Sequence, residues 1–211
     1  MKTSRRCLLL GSASLCVAGG ARIARADALG DLLARIARAR TPVRSLQGPF
    51  VQTRTIGLLA TAVRSTGTMV LVRPDRLRWE LAPPDAVTFF VGPDGLAYRS
   101  AQGQGHVPTV GARLGGALDD LRTVLGGDLS KLRERWDLAV LRDDATGAEL
   151  EATPRPGTTT PLHTIRFALA PGLALPTQTL LVEGPRDKTL IEFGALATNV
   201  PVDEAKMRPP G

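Results

Sequence analysis

The chain has 211 residues, of which 43% are hydrophobic and 22% charged, a composition typical of a folded protein. Its net charge of +7 is concentrated at the N-terminus, because five basic residues and no acidic one lie within the first 26 positions. The rest of the chain carries 22 basic and 20 acidic residues and has no basic block interleaved with aromatic residues. This distribution argues against nucleic acid as a partner.

Residues 1–26 have the three parts of an export signal. The start is basic, residues 7–21 are apolar but too short to span a bilayer, and Ala24-Arg25-Ala26 is a small-x-small cleavage site. The segment Ser4–Leu9 also resembles a twin-arginine signal, so twin-arginine export and general secretion both stay open. We therefore predict cleavage near Ala26 and export to the periplasm.

Both cysteines of the chain, Cys7 and Cys16, lie in this predicted signal. The predicted mature domain, residues 27–211, therefore has neither a disulfide nor a cysteine metal ligand, and its core must hold it together. Leu15 is too large for the position before a lipid-modified cysteine, so we expect no lipid anchor at Cys16.

Apolar residues recur on one face of residues 27–40, which predicts an amphipathic helix that ends before Pro42. The apolar positions are Leu29, Leu32, Leu33 and Ile36. From Phe50 onward the period changes to two, which predicts β-strands. The strands predicted for the first half of the domain are 50–56, 65–72, 77–81, 87–91 and 96–98.

The middle of the domain returns to a helical period. Leu118, Leu121 and Leu125 share one face of a helix that Gly126-Gly127 would stop, and Asp128 can cap a second short helix. In this second helix Leu129 and Leu132 share a face. The remaining predicted strands are 136–142, 149–153, 162–169, 178–182 and 189–193. Because helices do not alternate with strands, we predict a mainly β fold with helices (α+β): one curved antiparallel sheet wrapped over a few helices.

The sequence contains few residues in patterns typical of catalytic or metal sites. His106 lies in a loop rich in glycine and glutamine, His163 lies in a predicted strand, and neither is near a pattern of metal ligands. No serine lies in a nucleophile elbow. The pairs Asp119-Asp120 and Asp143-Asp144 are interpreted as solvated carboxylates. We therefore predict a protein that is not an enzyme and that uses no cofactor and no metal.

Several segments of the mature domain resemble the LolA family of periplasmic lipoprotein carriers. The most specific is Gly67–Leu81, which contains Arg-Pro-Asp-Arg-Leu-Arg-Trp-Glu and is followed by Pro83-Pro84. Gly48–Gln52 is similar to an early Phe-x-Gln strand of the family, and Leu121–Asp137 to its inserted lid helices. The tail from Asn199 to Pro210 is similar to its closing segment.

This resemblance implies an unclosed, strongly bent half-barrel whose concave face is covered by an N-terminal helix and short inserted helices. The covered hollow would shelter the acyl chains of lipoproteins. The partners implied are acylated lipoproteins or other lipids, an inner-membrane transporter that supplies the cargo and an outer-membrane acceptor that receives it. The protein would contact membranes transiently and act as a monomer.

The resemblance also assigns roles to residues. Arg73 matches the family arginine that ties the lid helices to the barrel, and Leu77 matches an apolar position that bears on cargo handling. The residues expected to line the lipid cavity are Phe50, Met69, Leu71, Leu77, Trp79, Leu81, Phe89, Ile165, Phe167, Ile191 and Phe193. The residues expected on the lid are Leu33, Ile36, Leu118, Leu121, Leu125, Leu129 and Leu132.

Each of these roles has a plainer alternative. The aromatic residues can be ordinary core residues, the helices can be packed permanently against the sheet, and Arg73 can be a strand-end arginine before a turn. The function also has alternatives, which are a carrier of another lipid or lipid-linked metabolite and a lipid-sensing regulatory protein on the same fold.

Overall fold

The structure is a computed structural model that describes residues 20–57, 61–93, 95–107 and 113–210. Three helices are present in this part of the chain: α1 (Gly20–Arg40), α2 (Arg113–Gly126) and α3 (Leu129–Arg135). None of the described helices is long and apolar enough to cross a membrane.

Twelve strands of the described residues form one antiparallel sheet. Those before α2 are β1 (Ser45–Ile56), β2 (Thr61–Val72), β3 (Arg76–Leu81), β4 (Val87–Gly92), β5 (Gly95–Ser100) and β6 (Gly103–Val107). Those after α3 are β7 (Trp136–Asp144), β8 (Gly147–Pro154), β9 (Thr164–Leu169), β10 (Pro176–Val182), β11 (Lys188–Phe193) and β12 (Ala197–Thr198). The spatial order is β6-β5-β4-β3-β2-β1-β11-β10-β9-β8-β7, and β12 pairs with β1 beyond β11.

The two halves of the sheet meet where β1 pairs with β11, and β6 and β7 form its two outer edges. The sheet is therefore an unclosed, curved half-barrel, which confirms the fold class predicted from the sequence. Because side chains alternate between the two faces of a strand, most of the strands have one apolar and buried face, whereas the other carries most of the charged residues.

The helices cover the buried, concave face. In chain order, α1 packs against β7, α2 against β2 and β4, and α3 against β7. We call these three helices the lid. Asp128 caps α3 as predicted, since its carboxylate accepts a hydrogen bond from the Ser130 amide at 2.9 Å.

Three local predictions were wrong. The first helix begins at Gly20 rather than residue 27, because the preceding residues are mostly alanine and arginine, both good helix formers. His106 lies in the edge strand β6 rather than in a loop, because Gly103–Val107 pairs with β5 despite its glycines. His163 lies just before β9 rather than within a strand. Both histidines are exposed.

The first strand is longer than predicted, because it includes Gly48 and Pro49. A proline usually interrupts a central strand, since it has no amide hydrogen to donate. Pro49 is tolerated because β1 pairs with β12 at Leu46 and Gln47 and with β11 only from Phe50 onward. On this side the Pro49 carbonyl still accepts a hydrogen bond from the Gly194 amide at 2.9 Å.

The end of α2 lies so close to β2 that only glycine fits there. A Cβ atom at Gly126 would overlap the Leu71 side chain, whereas a Cβ atom at Gly30, on α1, would meet no atom within 4 Å. We expect Gly126→Ala to lower the free energy of unfolding in urea by about 1–3 kcal/mol, because it overfills this contact. The matched variant Gly30→Ala should instead raise stability by up to about 1 kcal/mol, because alanine favours the helix. Equal effects of the two variants would contradict this account of the contact between α2 and β2.

Candidate functional site

The residues expected to line the cavity all lie on the concave face of the sheet. Strand register places Trp79 opposite Met69 on one side and Phe89 on the other. It also places Phe50 opposite Phe193 across the junction of the two halves. The remaining pairs that continue this face are Leu71 with Leu77, Ile191 with Thr179, Thr179 with Phe167, and Leu181 with Ile165.

Aromatic rings form the centre of this face. The rings of Phe50 and Trp79 are stacked with their centroids 3.7 Å apart and their planes at 25°. Phe193 packs edge-on against Trp79 with a centroid distance of 6.3 Å. Gly67 makes room for the stack, since a Cβ atom there would meet the Phe50 ring. These ring contacts add apolar packing across the junction where β1 pairs with β11.

Burial of the concave face falls from one end of the strands to the other. Leu71, Leu77 and Trp79 are at most 2% exposed, whereas Leu81 and Phe89 are only half-buried. Phe193, across the sheet junction, is also half-buried. These three half-buried residues form a partly open rim, which is where a ligand can first reach the concave face.

Elsewhere the concave face is filled by side chains of the lid. Leu32 and Ile36 of α1 are buried, as are Leu121, Val124 and Leu125 of α2 and Leu129 and Leu132 of α3. All belong to one cluster with the wall residues of the sheet, and Leu33 packs at its margin. The side chain of Leu118 lies outside the described residues. An acyl chain can therefore occupy the concave face only where lid side chains move away from it.

Arg73 stands between β2 and β3 and binds the end of α1. Its Nη1 donates hydrogen bonds to the carbonyl oxygen of Arg40 at 2.5 Å and to that of Val43 at 3.2 Å. The carbonyl groups at the end of a helix lack partners within the helix and carry partial negative charge, so a guanidinium group binds them well. Arg73 therefore contacts the main chain at and just after the end of α1.

Arg40, the last residue of α1, makes a second contact of the same kind, which was not predicted from the sequence. Its Nη2 donates to the Val124 carbonyl at 2.7 Å and its Nη1 donates to the Gly127 carbonyl at 3.1 Å. The residue is 2% exposed. Burial, and to a lesser degree repulsion from Arg73, lowers the pKa of Arg40 to about 10. Arg40 is therefore still a cation at neutral pH, held by carbonyl dipoles.

Asp120 of α2 was predicted to be solvated, and this was wrong. It is 3% exposed, and its carboxylate accepts hydrogen bonds from Arg135 Nη1 at 3.1 Å and from Trp136 Nε1 at 3.3 Å. The alternation of charged and apolar residues could not reveal this, because the partners come from the next helix and the strand after it. The contact ties α2 to α3 and to the start of β7.

Two buried polar residues of the concave wall were not predicted from the sequence. Thr179 of β10 lies between Phe167 and Ile191, and Thr189 of β11 lies opposite Leu181. Among the described residues, nothing accepts from or donates to the hydroxyl group of Thr179. The β10 sequence Pro176–Val182 does not alternate regularly between polar and apolar residues, so periodicity did not reveal this residue.

The outer face carries an open groove of about 830 Å³ over β1 to β4. Outward-facing residues such as Val51, Thr66 and Thr88 line it, together with Phe50 and Leu81, two of the residues expected to line the cavity. The C-terminal segment crosses the same face nearby. There Met207 is buried, and Arg76 donates two hydrogen bonds to the Glu204 carboxylate.

Comparisons with known proteins agree with this architecture. No curated protein matches the chain. A DUF1329 family protein from Desulfovibrio piger shares 14% identity over 87% of this chain and 97% of its own, with a TM-score of 0.56. An uncharacterised conserved protein from Thermus thermophilus shares 9% identity over 87% of this chain and 94% of its own, with a TM-score of 0.50.

At such identities these solved structures show a common fold and nothing further. The family model described as "Outer membrane lipoprotein carrier protein LolA" matches residues 41–208, from the end of α1 through the C-terminal segment. The match covers most of the chain and includes the strands described above and helices α2 and α3, whereas α1 precedes it. The chain therefore belongs to the LolA family.

Proposed function

We propose that this protein is a periplasmic carrier that shelters the acyl chains of lipoproteins between the concave face and the lid, for transfer towards the outer membrane. The observation that carries the proposal is the largely apolar concave face of the half-barrel, which the lid covers in the described part of the chain. Membership of the LolA family supports the same function. The cavity residues and the latch role of Arg73 remain part of this proposal.

When such a carrier binds cargo, it exchanges the burial of lid side chains for the burial of the acyl chain. Each methylene group removed from water contributes about 0.8 kcal/mol, so ten sheltered methylenes stabilise a bound chain by about 8 kcal/mol. Against this gain stands the exposure of lid leucines, each of which contributes about 1.5–3 kcal/mol when fully buried. Because the two terms are similar in size, cargo can be bound and also released without a source of energy in the carrier itself.

We further propose that the domain acts after export, with residues 1–26 removed as a signal and residues 27–211 forming the carrier. Cleavage near Ala26 would leave the part of α1 that packs on the sheet, which includes Leu32 and Ile36. An inner-membrane transporter would load the carrier and an outer-membrane acceptor would unload it, with transient membrane contact at each step. The half-buried rim at Leu81, Phe89 and Phe193 is the natural place for the cargo to enter.

A charge on the rim should prevent cargo binding. Phe89 and Thr88 are neighbours in β4, both half-buried, and they face opposite sides of the sheet. We expect Phe89→Asp to lower the affinity for a synthetic triacylated lipopeptide by at least about tenfold, because the carboxylate loses solvation against hydrocarbon. Thr88→Asp, on the outer face, should bind like the unaltered protein.

The measurement is lipopeptide titration, together with mass spectrometry of the lipids extracted from protein purified out of the periplasm. Acylated peptides in the extract would support the proposal. Free lipids without peptide would show instead a carrier of another lipid on the same fold. An extract without lipid, combined with equal titrations for both variants, would contradict the proposal. Circular dichroism establishes that both variants are folded.

Removal of the Arg73 guanidinium group should slow release more than loading. In Arg73→Leu the carbonyl groups at the end of α1 lose a charged donor, which is worth about 1.5–3 kcal/mol to the closed lid. Because closure of the lid competes with the cargo, the bound state becomes relatively more stable, and transfer of lipopeptide to acceptor membranes should slow by about tenfold. Loading should persist. Transfer at the rate of the unaltered protein would rule out the latch role.

A further inference from the structure

We propose that Arg40 is the positioning residue that holds α2 and α3 over the concave face, and that Arg73 acts on these helices through Arg40. The role of this link in cargo exchange rests on the proposed carrier function. The link itself is a property of the empty protein.

The first step is the place at which Arg40 binds. The carbonyl groups of Val124 and Gly127 that accept its hydrogen bonds lie at the end of α2 and in the turn before α3. A cation at the end of a helix is favoured by the helix dipole. The side chain of Arg40 therefore joins α1 directly to the junction of the two inserted helices.

The second step is that α2 and α3 form one unit. Asp120 ties the middle of α2 to Arg135, at the end of α3, and to Trp136, at the start of β7. The turn between the helices is short. It begins at Gly127, whose amide donates a hydrogen bond to the Thr123 carbonyl at 2.9 Å. A side chain that binds Gly127 therefore restrains both α2 and α3.

The third step is that Arg73 acts on the end of α1, from which Arg40 in turn acts on α2 and α3. Both hydrogen bonds that Arg73 donates within the described part of the chain end on the main chain of Arg40 and Val43, at the end of α1. Arg73 thus fixes the backbone from which the Arg40 side chain extends. Arg40 in turn holds α2 and α3, so the sheet is linked to α1 and α1 to the inserted helices.

The fourth step is that this link can open at little cost. A cleft of about 450 Å³ separates α1 from the turn between α2 and α3, and Arg40, Arg73 and Gly127 all line it. Among the described residues, carbonyl groups are the acceptors of the Arg40 hydrogen bonds. Water entering the cleft can replace these neutral acceptors far more easily than it could replace a buried carboxylate.

Amide hydrogen exchange of the empty protein tests this arrangement. The Gly127 amide, bonded to Thr123, reports on the end of α2, and the Thr41 and Val43 amides, bonded to Ala37 and Arg40, report on the end of α1. In Arg40→Met we expect exchange at Gly127 to rise roughly tenfold to hundredfold, with little change at Thr41 and Val43. Arg40→Lys should restore part of the protection, because it keeps a cation but not the fork of two donors.

In Arg73→Met we expect faster exchange at both helix ends. In the double variant, exchange at Gly127 should be no faster than in Arg40→Met alone, because residues in series are not additive. Arg35→Met is the matched control: it removes an arginine of the same helix that pairs with Asp143 at 2.8 Å on the surface, and should leave Gly127 unchanged.

Three results would overturn the proposal. These are unchanged exchange at Gly127 in Arg40→Met, additive effects in the double variant, and a uniform rise that includes strands β8 and β9, which would make Arg40 a residue of general stability. Since these measurements need no cargo, they are independent of lipopeptide binding. If the exchange pattern is as expected but no lipopeptide binds, the link stands and the carrier function fails.

Discussion

The concave face of the half-barrel must be covered by apolar groups, and the rest of the structure depends on how that requirement is met. A sheet with one apolar face has to bury it against another layer. In this chain the second layer is three amphipathic helices, attached to the sheet through buried leucine, isoleucine and valine side chains. Such packing is non-directional and can be replaced by any apolar surface of suitable shape, including a hydrocarbon chain. The same property that stabilises the closed protein therefore makes a carrier possible.

The few buried polar contacts of the lid determine how it is held. Arg73 and Arg40 each bind the carbonyl end of a helix, and Asp120 joins α2 to the start of β7. These polar contacts lie at the boundaries between one helix or strand and the next, whereas apolar packing fills the rest of the interface between lid and sheet. An arrangement of this kind divides the lid into α1, which is tied to the sheet, and the α2–α3 unit, which is tied to α1. Displacement of the second part would uncover Leu71, since the end of α2 at Gly126 lies against its side chain.

The sequence was sufficient to predict most of the strands and the apolar faces of strands and helices, because these follow from local periodicity, whereas the position of the lid was implied by the family resemblance. Alternation placed Leu77 and Trp79 on one face, and the helical period placed Leu32 and Ile36 on the sheet side of α1. Arg40 and Asp120 were not found, because each is bound by residues distant in the chain and looks like any charged residue of an amphipathic helix. His106 was misplaced for a related reason, since β6 exists through its pairing with β5 and not through its own composition.

A lid locked to the sheet provides the most direct test of the claim that lid and cargo compete for one surface. In the protein cleaved near Ala26, which then has no natural cysteine, the pair Leu71→Cys and Gly126→Cys would link β2 to α2 where the two lie in contact. The measurement is titration with a triacylated lipopeptide before and after reduction. The account predicts that the oxidised protein binds at least about tenfold more weakly and that reduction restores binding. Equal binding by the locked and reduced forms would contradict it.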